Sequence, residues 1–422
     1  MKKVMLKTTL SLAVTLASSH IFASGFALNE QSISGMGTGF AGRSSSAEDA
    51  STVFGNPAGM SRIKREQVTG GVAAIDASTD IKHASGGAPG GTNKGDMVPF
   101  TAVPMGFYVK PIDEHWAFGV GLYAPFGLVT DYESSFAGRY AGKESKVQVI
   151  TFQPTVSYAF NDVVSIGFGP TINRIDGTLT SATPGPRGPA SDGEVKIKGD
   201  DTALGFNAGI LVQATDRTRL GLTYHSKVKY SLDGNTKISG IGFGPFNGTK
   251  YDAGLDITTP ESVDFSVTHE LNDQWTIYAG STWTRWSRLK DITVENNGVP
   301  PALGGSVGPI GTIKEDQNWH DTWASAIGAA YKINKQWTVR TGLSVDQSPT
   351  NNTDRSVRIP TGDRKAISFG VGWSPTDDLT IDAAYSYLKE ESVSVNLPAK
   401  GNYKSSYHNS ANGFGVGATY KF

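Results

Sequence analysis

The last nine residues of the chain constrain its fold more than any other segment. Between Phe414 and Phe422, five residues with apolar side chains alternate with small or polar ones: Phe414, Val416, Ala418, Tyr420 and Phe422. This alternation predicts a strand with one apolar and one polar face. Outer-membrane barrels commonly end their closing strand on an aromatic residue, which lies in the interfacial girdle. The pattern therefore favours a transmembrane barrel over the alternative, an edge strand of a soluble sandwich.

The first residues of the chain have the pattern of a secretory signal. Lys2, Lys3 and Lys7 provide a basic start, the stretch from Leu10 to Ala17 is mostly apolar, and a plausible cleavage site precedes Ser24. The apolar stretch is too short to span a bilayer as a helix. We therefore predict that residues 1–23 are a signal peptide and that the protein is exported to the outer membrane of a Gram-negative cell.

Composition excludes several classes of protein. A formal net charge of -1 leaves neither a nucleic-acid footprint nor a polybasic membrane patch. The absence of cysteine excludes disulfides and thiolate metal ligands, and the histidines have no metal-ligand spacing. We therefore predict no metal and no cofactor. Hydrophobic residues make up 38% of the chain, which remains compatible with a barrel because half of the residues in each strand face a polar lumen.

The spacing of turns and loops predicts the architecture of residues 67–422. About fourteen candidate strands are joined alternately by tight turns, such as Asn161-Asp162, and by long polar loops, such as Asp291 to Thr312. Short turns at one rim and long loops at the other are typical of an outer-membrane barrel, with the turns on the periplasmic side. The fold class predicted is all-β, a transmembrane antiparallel β-barrel of about fourteen strands, and we expect a monomer.

Residues 24–66 do not have the pattern of a strand. The segment is rich in glycine and serine, which would suit a flexible linker, yet it also carries apolar residues that a linker does not need: Ile33, Met36, Phe40, Val53, Phe54, Met60 and Ile63. A segment packed inside the barrel as a hatch, or plug, explains these residues better.

Several motifs in order along the chain resemble the outer-membrane long-chain fatty acid transporter family (FadL-type), which also includes toluene and xylene channels. They are Gly25-Phe-Ala-Leu-Asn-Glu30, Asn56-Pro-Ala58, Pro125-Phe-Gly-Leu128, Asp346-Gln-Ser-Pro349 and Ile359-Pro-Thr-Gly-Asp-Arg364. The resemblance implies a fourteen-stranded barrel with an N-terminal hatch. It also implies uptake of a hydrophobic molecule that is captured at extracellular loops, held in an interior pocket and released sideways through the wall.

The resemblance assigns the release step to two places. One is Asn56-Pro57-Ala58 in the hatch, which in the family contacts an inward kink of the third strand. The other is the kink itself, for which Gly121, Ala124 and Pro125 are the candidates. Proline cannot donate to a strand ladder and glycine weakens it, so a bulge is expected here. The alternative is a strand end with ordinary glycine flexibility.

Candidate ligand contacts lie in the loops and on inward-facing strand positions. Tyr132, Phe136 and Tyr140 suggest an apolar landing groove, or else a loop packed on itself. Parity turns Arg340, Arg364, Asp346 and Asp382 inward, where they form either an ion network or a ligand site. Parity also turns His320 inward, at the place where the family has a lysine that meets the carboxylate. A histidine there would make acid binding pH-dependent, which keeps aromatic hydrocarbons open as ligands.

Three other classes of barrel compete with this interpretation. A lipid hydrolase would need a nucleophile with a nearby histidine and an orienting group, and no such motif is recognisable. A structural barrel or adhesin would not need an apolar hatch, and neither would an open diffusion porin. The sequence therefore favours a transporter and not an enzyme. Its expected partners are a long-chain fatty acid or another hydrophobic small molecule, and outer-membrane lipid.

Overall fold

The computed structural model describes residues 25–422. The predicted signal peptide, residues 1–23, lies outside the described residues. Nineteen strand segments form one sheet, and five barrel strands consist of two segments each, so the sheet contains fourteen strands. Every strand pairs antiparallel with its neighbours in the chain, and the last strand pairs with the first. The prediction of a closed barrel of fourteen strands is confirmed.

The strands differ in length, and the interrupted ones lie in the middle and near the end of the chain. Their bounds are β1 Gln67–Ser85, β2 Thr101–Pro111, β3 Trp116–Asp131, β4 Glu144–Ala159, β5 Val164–Thr183, β6 Gly193–Thr215, β7 Thr218–His225 with Val228–Ser239, β8 Lys250–Thr259 with Ser262–Glu270, β9 Trp275–Thr284 with Asp291–Asn296, β10 Thr312–Asp316 with Thr322–Lys332, β11 Trp337–Asp346, β12 Arg364–Trp373, β13 Leu379–Glu390 with Val393–Leu397, and β14 Tyr403–Lys421.

The barrel is closed by the pairing of β14 with β1. The register runs from Gln67 opposite Lys421 to Ser85 opposite Lys404. Because the strand number is even, the start of β1 and the end of β14 lie at the same rim. The tight turns, such as residues 160–163 and 216–217, lie at this rim, while loops of up to seventeen residues (347–363) lie at the other. The predicted sorting of turns and loops is confirmed.

The outer face of the barrel is apolar. Alternate residues such as Phe118, Phe168 and Ile327 are exposed on it, as a lipid-facing surface requires. Trp116, Trp275 and Trp337, which follow tight turns, are also exposed and suit an aromatic belt. Among the described residues, no helix combines the length and the apolar character that crossing a membrane would take.

Residues 25–66, the inner segment, pack inside the barrel. They form α1 (Ile33–Gly37), α2 (Thr52–Gly55) and a 3₁₀ helix (Pro57–Arg62). Apolar residues of this segment, among them Ile33, Met36, Val53 and Met60, are buried in one cluster with inward-facing residues of β1, β2 and β3. Glycines of the wall permit this close approach, since a Cβ atom on Gly209 would collide with the Asn56 side chain.

Candidate functional site

The wall of the barrel is irregular in β3. Pairing between β2 and β3 ends at Gly106 opposite Leu122, and the register between β3 and β4 shifts between Tyr123 and Phe126. Ala124 and Pro125 lie within this shift. The bulge predicted from Pro125 is therefore present. From Tyr123 to Asp131, β3 is still paired with β4 but is no longer paired with β2.

The start of the inner segment takes over the hydrogen bonds that β2 does not make. Leu28 N donates to Pro125 O (2.8 Å), Gly127 N donates to Phe26 O (2.8 Å), and Gln31 Nε2 donates to Ala124 O (2.5 Å). Buried backbone groups need such partners. Displacing residues 26–31 would therefore leave an unpaired strand edge without breaking any bond between barrel strands.

The Asn56-Pro57-Ala58 motif is hydrogen-bonded to β5 and β6. Asn56 Nδ2 donates to Ser44 O (2.7 Å) and to Ile210 O (3.0 Å) on β6, and Ser165 Oγ on β5 donates to Ala58 O (3.0 Å). The contact between this motif and the kink, implied by the family resemblance, stays a prediction. Residues 26–31 make hydrogen bonds to the kink, while the motif makes hydrogen bonds that fix the other side of the inner segment to β5 and β6.

We expect Asn56→Ala to loosen the inner segment and to leave the barrel intact. The variant loses two donated bonds and the bond that Asn56 Oδ1 accepts from Ala58 N (3.0 Å). At roughly 1 kcal/mol net per bond, docking should weaken by about 3 kcal/mol. Protease sensitivity of residues 25–66 and single-channel conductance should rise, while heat-modifiability should not change. Conductance and protease resistance equal to wild type would contradict this attachment role.

Three cavities inside the barrel share Asn29 and Arg43. The hatch cavity (about 40 Å³) lies among residues of the inner segment and Tyr278. The central cavity (about 80 Å³) also includes Arg364 and small residues of β10 to β13, and the kink cavity (about 90 Å³) includes Pro125 and Phe126. Arg43 therefore borders the hatch cavity, the central cavity and the kink cavity at the same time.

Arg43 is a cation without an ion pair among the described residues. Its Nη2 donates to Asn29 Oδ1 (2.7 Å), and its guanidinium lies 5.2 Å from the ring centre of Phe40 and 6.0 Å from that of Phe54. Aromatic faces stabilise a cation without neutralising it. Arg43 thus keeps donors for an anion that enters any of the three cavities.

Arg364 is the second cation of the central cavity. Its Nε donates to Glu390 Oε1 (2.7 Å), and its Nη1 lies 3.9 Å from Asp346 Oδ2. Its side chain is 2% exposed, yet neither Nη atom has a hydrogen-bond partner among residues 25–422. A buried guanidinium with unused donors is a candidate contact for a planar anion such as a carboxylate.

Arg340 has a different environment. It forms ion pairs with Glu48 of the inner segment (3.2 Å) and with Asp382 on β13 (2.7 Å), and it lines none of the cavities above. Of the two alternatives left open by the sequence, the structure favours a structural ion network for Arg340. This network ties the inner segment to the wall opposite the kink.

Glu30 lines the central cavity together with Arg43 and Arg364. The residue is 9% exposed, and its Oε2 atom has no hydrogen-bond partner among the described residues. Burial raises the pKa of its carboxyl to about 7, although Arg43 and Arg364 act in the opposite direction. Burial therefore favours the protonated, uncharged form of Glu30.

An apolar cavity lies on the extracellular side of the kink. It is about 60 Å³ in volume and is lined by inward-facing residues of β4 to β9, including Val147, Leu179, Leu255 and Ile292. Below it, a buried cluster links this cavity to the kink cavity through Phe126 and Val228: Val149, Ile175, Val228, Tyr230 and Leu232. A continuous apolar lining therefore leads from the extracellular half of the barrel to the bulge in β3.

His320 does not point into the interior. It lies in the break between the two segments of β10, is exposed, and donates from its backbone N to Pro349 O (3.1 Å). Trp319 is 2% exposed and packs against Phe26 and Trp286. The inward orientation predicted for His320 is wrong because the prediction assumed an unbroken strand. The break, which includes Asn318 with a positive φ of 45°, exchanges the two faces.

The loop aromatics do not form an exposed landing groove. The rings of Tyr132 and Phe136 stack at 3.9 Å and are 5% and 0% exposed, and Tyr132 Oη donates to Val357 O (2.6 Å). The alternative of a loop packed on itself is the one that the structure favours for these two residues. Tyr140 is half-buried and donates to Asp192 Oδ1 (3.1 Å), so it too contacts a neighbouring loop.

Arg43 and Glu30 were missed as candidates from the sequence. Their signal was present, because each is a charged residue within a small and apolar segment assigned to the barrel interior. Within residues 25–422, no group of three or more histidine, aspartate or glutamate side chains could hold a metal ion. The site consists of the half-buried Arg43, the buried Arg364, the buried carboxyl group of Glu30 and an apolar path.

A closed lipid-facing barrel with an occupied interior and an apolar path to a wall irregularity defines an outer-membrane transporter of hydrophobic compounds. The sequence profile of the family described as "Outer membrane protein transport protein (OMPP1/FadL/TodX)" matches residues 14–422. The chain belongs to this family, and it is a transport protein of the outer membrane, not an enzyme.

Known proteins match the chain over nearly its whole length. It is 28% identical to the long-chain fatty acid transport protein of Escherichia coli K12, over 100% of this chain and 99% of that protein. Outer membrane protein P1 of Haemophilus influenzae is also 28% identical, over 99% of each chain. The crystal structure of a Pseudomonas aeruginosa FadL homologue has a TM-score of 0.82 at 27% identity, over 94% of this chain and 100% of that one. The Pseudomonas putida toluene transporter TodX, at 19% identity, has a TM-score of 0.69 over 90% of this chain and 95% of that one, and it shares the fold.

Proposed function

We propose that this protein carries long-chain fatty acids across the outer membrane and that Arg43 receives the carboxylate. The observation that carries the proposal is the position of Arg43, a cation with no ion pair among residues 25–422, where three interior cavities meet. Arg364 supplies further unused donors in the central cavity. An uncharged aromatic hydrocarbon offers no acceptor to the guanidinium donors of the half-buried Arg43 and of the buried Arg364, whose desolvation is costly.

The apolar path supports an acyl chain as the other half of the ligand. The chain would occupy the apolar cavity of β4 to β9 and the cluster beneath it, with its head toward Arg43. The cavities are each small, at about 60 to 90 Å³. A long acyl chain therefore requires the interior to widen, and the inner segment is the element that can move without breaking the barrel ladder.

Release through the wall follows from the same arrangement. We propose that residues 24–66 act as the hatch of the barrel formed by residues 67–422, and that residues 26–31 open the edge of β3 at Ala124 and Pro125 when they withdraw. Three hydrogen bonds hold this edge closed. Gly121 precedes the opening along β3, and the side chains of Phe107 and Val53 pack closely against it. The ligand would then leave into the outer-membrane lipid.

The proposal is tested by uptake in cells that lack their own fatty acid transporter. Expression of this chain should restore uptake of labelled oleate, while liposome swelling with sugars should stay at background because the interior is filled. Uptake of toluene without uptake of oleate would replace the fatty acid by an aromatic hydrocarbon. Swelling with sugars at the rate of an open porin would overturn the transporter mechanism itself.

A further inference from the structure

We infer that Glu30 transfers a proton to the carboxylate of the bound fatty acid, so that the ligand leaves through the wall as the uncharged acid. This inference rests on the proposed function and assigns a role to a residue that the binding step does not need. It follows from three features of the central cavity and the kink: the position of Glu30, the charges around it, and the apolar character of the exit.

Glu30 lies on the segment that connects the proposed carboxylate site, at Arg43 and Arg364, with the proposed exit at the bulge in β3. Glu30 lines the central cavity together with Arg43 and Arg364, and its Oε2 atom has no partner among the described residues. Two residues earlier, Leu28 N donates to Pro125 O in the bulge. A carboxylate that binds the two arginines is therefore brought beside Glu30, on the segment that also closes the edge of β3.

The exit is unsuited to an ion. Leu28, Val103 and Met105 are buried in one apolar cluster with Tyr123 and Ala124 at the bulge. Moving an ionised carboxylate into apolar surroundings costs far more than moving the neutral acid. Since Arg43 and Arg364 hold the ionised form, a ligand that keeps its charge would stay at the head site. Protonation of the ligand carboxylate removes its attraction to the two arginines and also removes most of the free-energy cost of moving it into the apolar exit.

The transfer leaves the charge of the cavity unchanged. Before it, the ligand is ionised and Glu30 is protonated; the O–H bond of Glu30 breaks and an O–H bond forms on the ligand carboxyl. The charge left on Glu30 then replaces that of the ligand beside Arg43 and Arg364. Water in the lumen returns a proton to Glu30 after release. The other charged groups on this cavity are Asp264 on β8 and Asp346 on β11, and Glu390 on β13 pairs with Arg364.

The pH dependence has a definite sign. Burial holds the pKa of Glu30 near 7, above its ordinary value of 4.5. Glu30 carries the proton below this value, and as the pH rises through about 7 it becomes ionised before the ligand arrives. Uptake of a fatty acid by the wild type should therefore fall between about pH 6 and about pH 8, whereas uptake of a fatty alcohol should not change.

The test compares wild type with Glu30→Gln, which keeps the shape of the side chain but cannot transfer its proton. Oleate should bind the variant within about twofold of wild type, but its uptake should be at least about tenfold slower, at the low end of what proton transfer contributes. Uptake of oleyl alcohol should be equal in both. Glu66→Gln, at the periplasmic rim, is the matched control and should behave as wild type.

Two outcomes overturn the inference and leave the proposed function intact: equal oleate uptake by Glu30→Gln and wild type, or an equal slowing of oleate and oleyl alcohol. Failure of the wild type to bind oleate would instead overturn the proposed function. Infrared spectroscopy on the wild-type barrel gives a second measurement that does not depend on any variant. Oleate with an isotope-labelled carboxyl should show the ionised band when bound, while a separate band of a protonated protein carboxyl should be present at about pH 6 and lost as the pH rises through about 7. Absence of that protein band at about pH 6 would reject the transfer.

Discussion

Replacing Arg43 by methionine should remove most of the affinity for a long-chain fatty acid. The variant keeps the unbranched stem that packs near Phe40 and Phe54 but has no donor for a carboxylate. A charge-assisted hydrogen bond contributes about 1.5–3 kcal/mol, so we expect binding of oleate to weaken by roughly tenfold to a hundredfold. Titration of the purified barrel with oleate, followed by displacement of a fluorescent fatty acid, measures the change.

Three comparisons make this result specific to the charge. Oleyl alcohol should bind Arg43→Met as it binds wild type, because it carries no carboxylate. Arg43→Lys should recover part of the affinity, since it restores the charge without the planar pair of donors. His320→Leu should bind oleate as wild type does, because His320 is exposed outside the cavities. Unchanged affinity in Arg43→Met would move the carboxylate site to Arg364.

Deleting residues 420–422 should almost abolish assembly of the barrel. Tyr420 pairs with Val68 on one side and with Leu379 on the other, and Phe422 N donates to Glu66 O (2.8 Å). The deletion therefore removes the last two pairs of the closing ladder, Gln67 with Lys421 and Val68 with Tyr420, together with both terminal aromatic side chains. Heat-modifiable protein in the outer-membrane fraction should fall to near background.

Phe422→Tyr is the matched variant for this deletion, because it keeps the length, the backbone bonds and an aromatic ring. We expect it to assemble at the level of wild type. A truncated chain that reached the membrane in normal amounts would show that the closing strand tolerates loss of its last pairs, and it would contradict a role for the terminal aromatic residues in assembly.

The fold could be predicted from the sequence because strand alternation and loop lengths report directly on a barrel. Alternation exposes every second residue to lipid, so the positions of Ile367, Phe369 and Trp373 were readable without a structure. The same parity predicted that Arg340, Arg364, Asp346 and Asp382 share one inner wall, and the structure pairs Arg340 with Asp382 and Arg364 with Asp346. Pro125 marked the bulge, since proline cannot take part in the ladder.

The site was less predictable, for physical reasons that differ between residues. Parity fails at a strand break, and the break in β10 exchanged the orientations of Trp319 and His320. The burial of Tyr132 and Phe136 depends on Val357, Tyr403 and other residues far along the chain. The role proposed for Arg43 in carboxylate binding depends on its position beside three cavities. Residues from distant parts of the chain form these cavities, so no local sequence pattern predicts them.

The closing contacts of β14 have a consequence for the order of biogenesis. Arg65, at the end of the inner segment, donates to the carbonyl oxygens of Phe422 (3.1 Å) and Lys421 (3.0 Å). The inner segment precedes every barrel strand along the sequence, whereas Lys421 and Phe422 lie at the end of β14. Arg65 can therefore make these two bonds only after β14 has been positioned beside β1. The attachment of the inner segment at this rim is thus completed in the same step that closes the barrel.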